Sequence, residues 1–330
     1  VAGSEAPEWH AQQPDPSKPY AGYPRVENTV HTRLYLATPD RGTYDHAAMI
    51  GILDGMLVAS WKNGVVSEDK PGQRVLYAQS MDLGKTWTPG ENGTAILFPN
   101  ISLPSFEVHL FAEPFITLNG HLYATASPIQ FCLFPVPDNM FGSMLVRRVY
   151  TNETGLLGPM FWAAPTIPSG YGPTSTLHNI KTEFEMNSET IADMKLLNDS
   201  SQLPCEVGKE TLKCEACMNG CQSWADGPQT GNERTHFNEP YSNTDFILYR
   251  TRENHFDYAR RDSVSSDWEK PGVTDIPDAD ANLNAGRLVD GHAYLLSNSN
   301  PKARDPLSIV TTNGTHFDKV WAVVSCVDLE

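Results

Sequence analysis

Ser80-Met81-Asp82-Leu83-Gly84-Lys85-Thr86-Trp87 is the stretch that decides the fold of this chain. The pattern Ser-x-Asp-x-Gly-x-Thr-Trp describes a self-bonded turn. The carboxylate and hydroxyl bond turn amides, glycine permits a backbone angle other residues resist, and tryptophan packs between sheets. It is a fold signal and carries no catalytic chemistry of its own. Eroded copies stand at Thr312-Asn313-Gly314-Thr315-His316-Phe317 and at Asp262-Ser263-Val264-Ser265-Ser266-Asp267-Trp268, so the turn repeats along the chain.

Between these turns the sequence is written in short apolar runs split by two-residue turn signals. Met49 to Leu53, Asp54-Gly55 and Met56 to Ala59 form one such unit; Phe115 to Leu118 with Asn119-Gly120, and Gly286 to Val289 with Asp290-Gly291, form two more. Asp-Gly and Asn-Gly suit type I′ turns, whose central residues both need positive φ, so three β-hairpins are expected. Helical spacing is sustained only from Glu185 to Leu197, with a short helix at 189–194. The chain therefore reads as all-β, and hairpins at intervals of some tens of residues point to a propeller of four-stranded blades. Residues 1–30, rich in proline and polar residues, are expected as an extended arm. Residues 31–330 are expected as a single propeller domain, with a Cys-rich insertion at 198–235. A strand from Val30 to Leu36 is the expected closure of the ring, the alternative being a further C-terminal segment.

Composition narrows the partners. The 24 Lys and Arg against 40 Asp and Glu give a net charge of −16, which argues against nucleic acid and anionic membranes and requires a local cationic pocket for any anionic ligand. No apolar run reaches the length of a transmembrane helix, and Val1 to Glu5 lack a signal-peptide pattern, so a soluble, processed protein is expected. Glycosylation sequons at Asn92, Asn100, Asn152, Asn198 and Asn313 point to a secreted protein. So do six cysteines, Cys132, Cys205, Cys214, Cys217, Cys221 and Cys326, read as disulfides of unassigned pairing in preference to a four-thiolate zinc site.

The Ser80–Trp87 turn is an Asp-box, and on it and the residues below the chain resembles the sialidase superfamily of six-bladed propellers, with seven blades as the alternative. Tyr44-Asp45-His46, the hairpin, Trp61, Glu68-Asp69, Gln73-Arg74 and the Asp-box follow the order of a first sialidase blade, although Asp45-His46 stands where that family has the arginine of Arg-Ile-Pro. Asn238-Glu239-Pro240 with a strand ending at Arg250 resembles the pairing of a Glu with the second triad arginine on an innermost strand. Arg304-Asp305-Pro306 resembles the third. The region Tyr44-Asp45-His46 with Glu68 to Arg74 is also similar to the first blade of propellers related to rhamnose–glucuronate lyases.

The resemblance implies an acidic glycan, a uronic or sialic acid, cleaved by lyase or glycosidase chemistry. Arg250 and Arg304 grip its carboxylate, since guanidinium donates two parallel bonds and stays charged. His46, Asp69, Glu239 and Tyr44 are the candidate proton carriers, and Asn284, Asn298, Trp61 and Gln73 complete the expected subsite. Tyr20, Tyr23 and Tyr44 are the available phenols, none of them at the sialidase tyrosine position. The alternative function is a non-catalytic glycan-binding or structural propeller. No cofactor is implied; Asp275, Asp278 and Asp280 are the one acidic stretch dense enough for calcium, the competing reading being a solvated loop around Pro277. The sequence carries no indication of oligomeric state.

Overall fold

In the computed structural model the described residues are 6–67, 72–103, 106–129, 144–150, 157–163, 234–238, 244–251, 253–262, 266, 268–281, 283–312 and 314–328. The helix expected at 189–194, five of the cysteines and nearly all of the 198–235 insertion lie outside them. The chain forms two compact units, His31–Ser223 and Val1–Val30 with Trp224–Glu330. Among the described residues regular structure is strands and two 3-10 turns, Pro19–Gly22 and Cys326–Asp328, as the alternating pattern demands. No helix among them is long and apolar enough to cross a membrane.

Strand β1 (Glu8–Trp9) belongs with the C-terminal strands and is taken up below. In the unit 31–223, β2 (Tyr44–Leu53), β3 (Met56–Gly64), β4 (Arg74–Ser80) and β5 (Ile96–Phe98) form a four-stranded sheet in chain order. A second sheet, also in chain order, holds β6 (Ile101–Leu103), β7 (Phe106–Leu118), β8 (His121–Ile129), β9 (Met144–Val149) and β10 (Leu157–Ala163). Such consecutive antiparallel meanders are what a propeller blade is made of. Met56, Val58, Val75, Leu110, Leu122 and Leu145, all fully buried, fill the space between them. Gly51 is required here, because a Cβ at that position stands 2.6 Å from the Phe115 ring.

The other unit repeats the plan. Strands β11 (Arg234–Asn238), β12 (Asp245–Tyr249), β13 (His255–Arg261) and β14 (Gly272–Pro277) form one sheet. Strands β15 (Asn284–Arg287), β16 (Ala293–Ser297), β17 (Leu307–Thr312) and β18 (His316–Val324) form the next. β16 and β17 alternate buried and half-buried along their length, the period of a sheet with one core face. That face meets Phe246, Leu248, Phe256 and Ile276 from the neighbouring sheet.

The N-terminal segment is not merely an arm. Glu8–Trp9 adds to the edge of β18 as a parallel fifth strand, and Arg25 bridges to Ala322 further along the same strand. Trp9 is buried in the core of this unit, with Ala11, Ala21 and Tyr23 beside it. Val30 to Leu36, expected as the closing strand, is chain outside any sheet, held by the Leu36 N–H to the Glu91 carbonyl at 2.8 Å and by Leu34 and Tyr35, which pack on the cluster of Trp61 and Trp87. Val30 itself is 84% exposed.

Two hairpins are type I′ as expected: Asp54 and Gly55 have φ of 52° and 81°, Asn119 and Gly120 of 47° and 75°. The third differs. The Gly291 N–H bonds the Leu288 carbonyl and the Leu288 N–H bonds the His292 carbonyl, so Leu288 to Gly291 form a β-turn in which only Gly291 has positive φ. The Asp-box closes as its chemistry dictates. Asp82 accepts from the Thr86 N–H at 2.8 Å, the Thr86 hydroxyl at 2.7 Å and the Ser80 hydroxyl at 2.8 Å. The Gly84 N–H donates to Ser80 Oγ and the Trp87 indole to the Gly84 carbonyl.

Candidate functional site

Strands β12, β14 and β16 run in the same direction within their meanders, and the loops at their C-terminal ends meet through the Ala279 N–H, which bonds the Asn298 carbonyl at 3.0 Å. Arg250 leaves the end of β12 and donates from Nε to Asp280 Oδ1 at 2.6 Å. Arg304, in the loop between β16 and β17, reaches the same residue, donating from Nη2 to the Asp280 carbonyl at 2.5 Å with the carboxylate 3.9 Å away. The two arginines chosen from the sequence as a carboxylate grip therefore converge on one residue of the chain itself, Arg250 on its carboxylate and Arg304 on its backbone carbonyl. Asn298 positions the second of them, donating from its side-chain amide to the carbonyls of Arg304 and Pro306 at 3.0 Å each.

Two residues before Asp280 stands Asp278, fully buried, which takes the Thr251 N–H at 3.3 Å and the Ala281 N–H at 3.4 Å. Burial pushes its carboxyl up to about 6, against the pull of those backbone donors and of the Arg250 charge. A buried carboxyl pushed toward neutrality beside the Arg250 guanidinium is the kind of group that moves protons. The sequence suggested it only as a calcium ligand. The three aspartates do not assemble into a cation site: Asp275 accepts the Trp9 N–H at 2.6 Å, Asp278 organises its own loop, and Asp280 holds the arginines.

Arg250, expected at the end of an innermost strand, follows the second strand of its sheet, because Arg234–Asn238 adds one strand before it. That strand begins inside the polar, Cys-rich stretch, where no apolar alternation announces it. Asn284 takes a different partner, its Oδ1 accepting the Tyr294 hydroxyl at 3.3 Å. Glu239 lies outside the described residues.

In the unit 31–223 the expected proton carriers sit at the start of β2. The Tyr44 and His46 ring centroids are 5.8 Å apart, and His46 meets the edge of Phe111 at 5.6 Å. The hairpin register places His46 opposite Lys62, a lysine with no exposed surface whose ammonium stands 5.1 Å from the Phe111 centroid. On the alternate face Asp45 accepts the Asn63 amide at 2.9 Å, and Asn63 accepts Arg74 Nε at 2.8 Å. Partial desolvation raises the Asp45 carboxyl above its usual range, opposed by Asn63, by the facing Trp61 indole and by Arg74.

Sequence reasoning missed Lys62 and the buried Glu113; a charged residue inside a strand that is otherwise buried on both faces is the signal that finds Lys62. Trp61 is a packing residue, buried with Leu76 and Ala78 and 5.7 Å from the Tyr35 ring. Gln73 is fully buried and donates to the Ser67 carbonyl at 2.8 Å, tying together the two ends of the loop that carries Asp69, itself outside the described residues.

A groove of about 610 Å³ lies on the face of β17 and β18 away from the core, lined by Trp321, Arg25, Lys319, His292, Asp290 and Glu27 among others. Of the five sequons, Asn92 and Asn100 are described and both are exposed, while Asn152, Asn198 and Asn313 lie outside. Cys326, expected in the disulfide set, is an exposed free thiol; its N–H donates to Asp305.

Comparison with known proteins follows the same lines. A BNR repeat-like domain matches residues 217–325. A solved sialidase superposes on 97% of the chain with a TM-score of 0.72 at 14% identity, covering 30% of that chain. Trypanosoma rangeli sialidase in complex with 2,3-difluorosialic acid covers 89% of this chain and 52% of its own, with a TM-score of 0.50 and 15% identity. A protein of unknown function from Dyadobacter fermentans covers 90% of this chain and 87% of its own, with a TM-score of 0.51 and 13% identity. The chain thus spans about a third to a half of the length of the two sialidases. No curated protein matches it in sequence. The chain is thus all-β, with the propeller fold of the sialidase it superposes on, and its C-terminal third is similar to a BNR repeat-like domain.

Proposed function

We propose that this is a secreted propeller that recognises an acidic sugar and acts on the glycan bearing it. The observation that carries the reading is the convergence of Arg250 and Arg304 on one residue, Asp280, two positions from a buried aspartate whose carboxyl is pushed up to about 6 by burial. A sugar carboxylate exchanging with Asp280 meets two guanidiniums held in place by β12 and by Asn298. In that state Asp280 is released as an acceptor close to Asp278, and the two carboxyls differ in environment, one buried and one half-exposed, as an acid and a base must. Exposed sequons at Asn92 and Asn100 support the secretory assignment.

The test is incubation with uronate-terminated and sialylated oligosaccharides, following ultraviolet absorbance for unsaturated product together with released reducing sugar. Sugar release with absorbance identifies a lyase, release without it a hydrolase. Activity that survives Arg304→Gln unchanged contradicts the assignment.

A second reading, a glycan-binding propeller without catalysis, is supported by the groove at Trp321. An indole face flanked by Arg25, Lys319 and Asp290 offers stacking and polar contacts to a sugar ring. Under this reading Trp321→Ala abolishes glycan binding and both assay channels stay silent.

A further inference from the structure

Glu8, His10 and His316 lie on one face of the junction between β1 and β18. Parallel pairing sets Glu8 opposite His316 and Trp9 opposite Phe317, so strand alternation sends Trp9 into the core and leaves Glu8, His10 and His316 together outside. Their positions are fixed by the backbone. The Glu8 N–H bonds the Thr315 carbonyl at 3.0 Å, and the N–H groups of His10 and Ala11 bond the Phe317 carbonyl at 2.8 Å each. Both imidazole Nε2 atoms point at the same carboxylate oxygen, Glu8 Oε2, from 3.0 Å for His10 and 3.8 Å for His316.

We propose that these three residues bind a zinc-like divalent ion that fastens the N-terminal strand to the last strand of its sheet. Two imidazoles and a carboxylate are donors that zinc takes at about 2.0–2.2 Å, with water completing the tetrahedron, and ligand atoms around such an ion stand about 3.3 Å apart. The observed separations of 3.0 Å and 3.8 Å bracket that value, and all three ligand atoms lie within 4.8 Å of one another. The hydrogen bond between His10 and Glu8 gives way to two bonds to the metal. The imidazole rings are stacked at 4.3 Å and 11°, whereas a metal lies in the plane of each ring it binds. Binding therefore turns at least one ring, which side chains 49% and 42% exposed are free to do. The all-oxygen shell that calcium requires is not on offer. The consequence is local: the ion closes a loop between residues separated by most of the chain and holds Glu8–Trp9 in the sheet.

The experiment is equilibrium dialysis of the full chain against zinc, with the His10→Gln/His316→Gln double variant beside it. Because the cysteines at 205–221 offer thiolates of their own, Co²⁺ spectra identify the ligands: the site described here adds no thiolate charge-transfer band. The wild type is expected to hold one more equivalent than the variant, and zinc to slow amide exchange at Glu8 to Ala11 at least tenfold in the wild type only. Glu8→Ala, which leaves both rings in place, is expected to weaken binding about tenfold or more. Equal zinc content in wild type and double variant overturns the proposal, as does exchange at Glu8 to Ala11 that ignores zinc.

Discussion

Arg250 and Asp280 are joined by a 2.6 Å hydrogen bond, and the arginine side chain is only 16% exposed while the aspartate is 42% exposed. The anchored partner is the cation and the movable one is the anion, the arrangement expected if a ligand carboxylate takes the place of the aspartate. Asp280→Asn then strengthens binding of a uronate-terminated oligosaccharide, by at least threefold, because the internal competitor has lost its charge. The same variant loses about 1–3 kcal/mol of stability, since the largely buried Arg250 guanidinium loses its charged partner. Calorimetric titration and denaturant unfolding of the one variant read both effects.

Asp278 makes stability depend on pH in an unusual direction. Its folded pKa of about 6 lies above the ordinary 3.8, so between those values the folded state holds a proton that the unfolded state has released. Stability contributed by this group therefore falls as pH rises through that window, by about 3 kcal/mol in all for a shift of roughly 2 units. Asp278→Asn removes this slope. Urea unfolding at a series of pH values from 4 to 7, wild type against variant, checks it.

Asp82 acts in the opposite sense. The Thr86 amide and hydroxyl and the Ser80 hydroxyl hold its carboxyl down at about 2, so the stability it contributes is complete above the ordinary 3.8 and is lost as pH falls toward 2. Asp82→Asn is expected to lower Tm at neutral pH and to flatten the acid limb of the Tm profile, which differential scanning calorimetry measures directly.

Trp9 anchors the N-terminal segment through its buried ring and through its N–H to Asp275. Trp9→Ala is expected to lose about 3–5 kcal/mol, the range for emptying a buried aromatic site. It also frees the N-terminus for cleavage by trypsin after Arg25, Lys18 being protected by Pro19. Limited proteolysis with mass analysis of the fragments tests this.

The blades were legible where local chemistry dictates structure. Asp54-Gly55 and Asn119-Gly120 name their own turn type, and the Ser80–Trp87 turn is self-bonded, so neither needs the rest of the chain. The neighbourhood of His46 was not legible in the same way. Continuing the hairpin register back from Leu53 opposite Met56 sets His46 against Asn63, but a bulge at Ala47, whose φ is 51°, moves it one place to Lys62. An alanine in a left-handed conformation leaves no trace in sequence. Arg250 and Arg304 were found, but their partner was not. Asp280 is held by a meeting of loops from two sheets, and that meeting is a tertiary event with no local signature. Trp61 looked like a sugar platform because tryptophans are; the outward-facing one of the last sheet is Trp321, and only strand alternation tells them apart.

The most direct test of the acidic-sugar reading is equilibrium binding of two oligosaccharides that differ only in a terminal carboxylate, one uronic and one neutral, to the wild type and to Arg304→Gln. The account predicts at least a tenfold preference for the acidic ligand in the wild type, falling to near parity in the variant while its thermal unfolding is little changed. Equal binding of the two sugars by the wild type, or a preference that persists without Arg304, contradicts it.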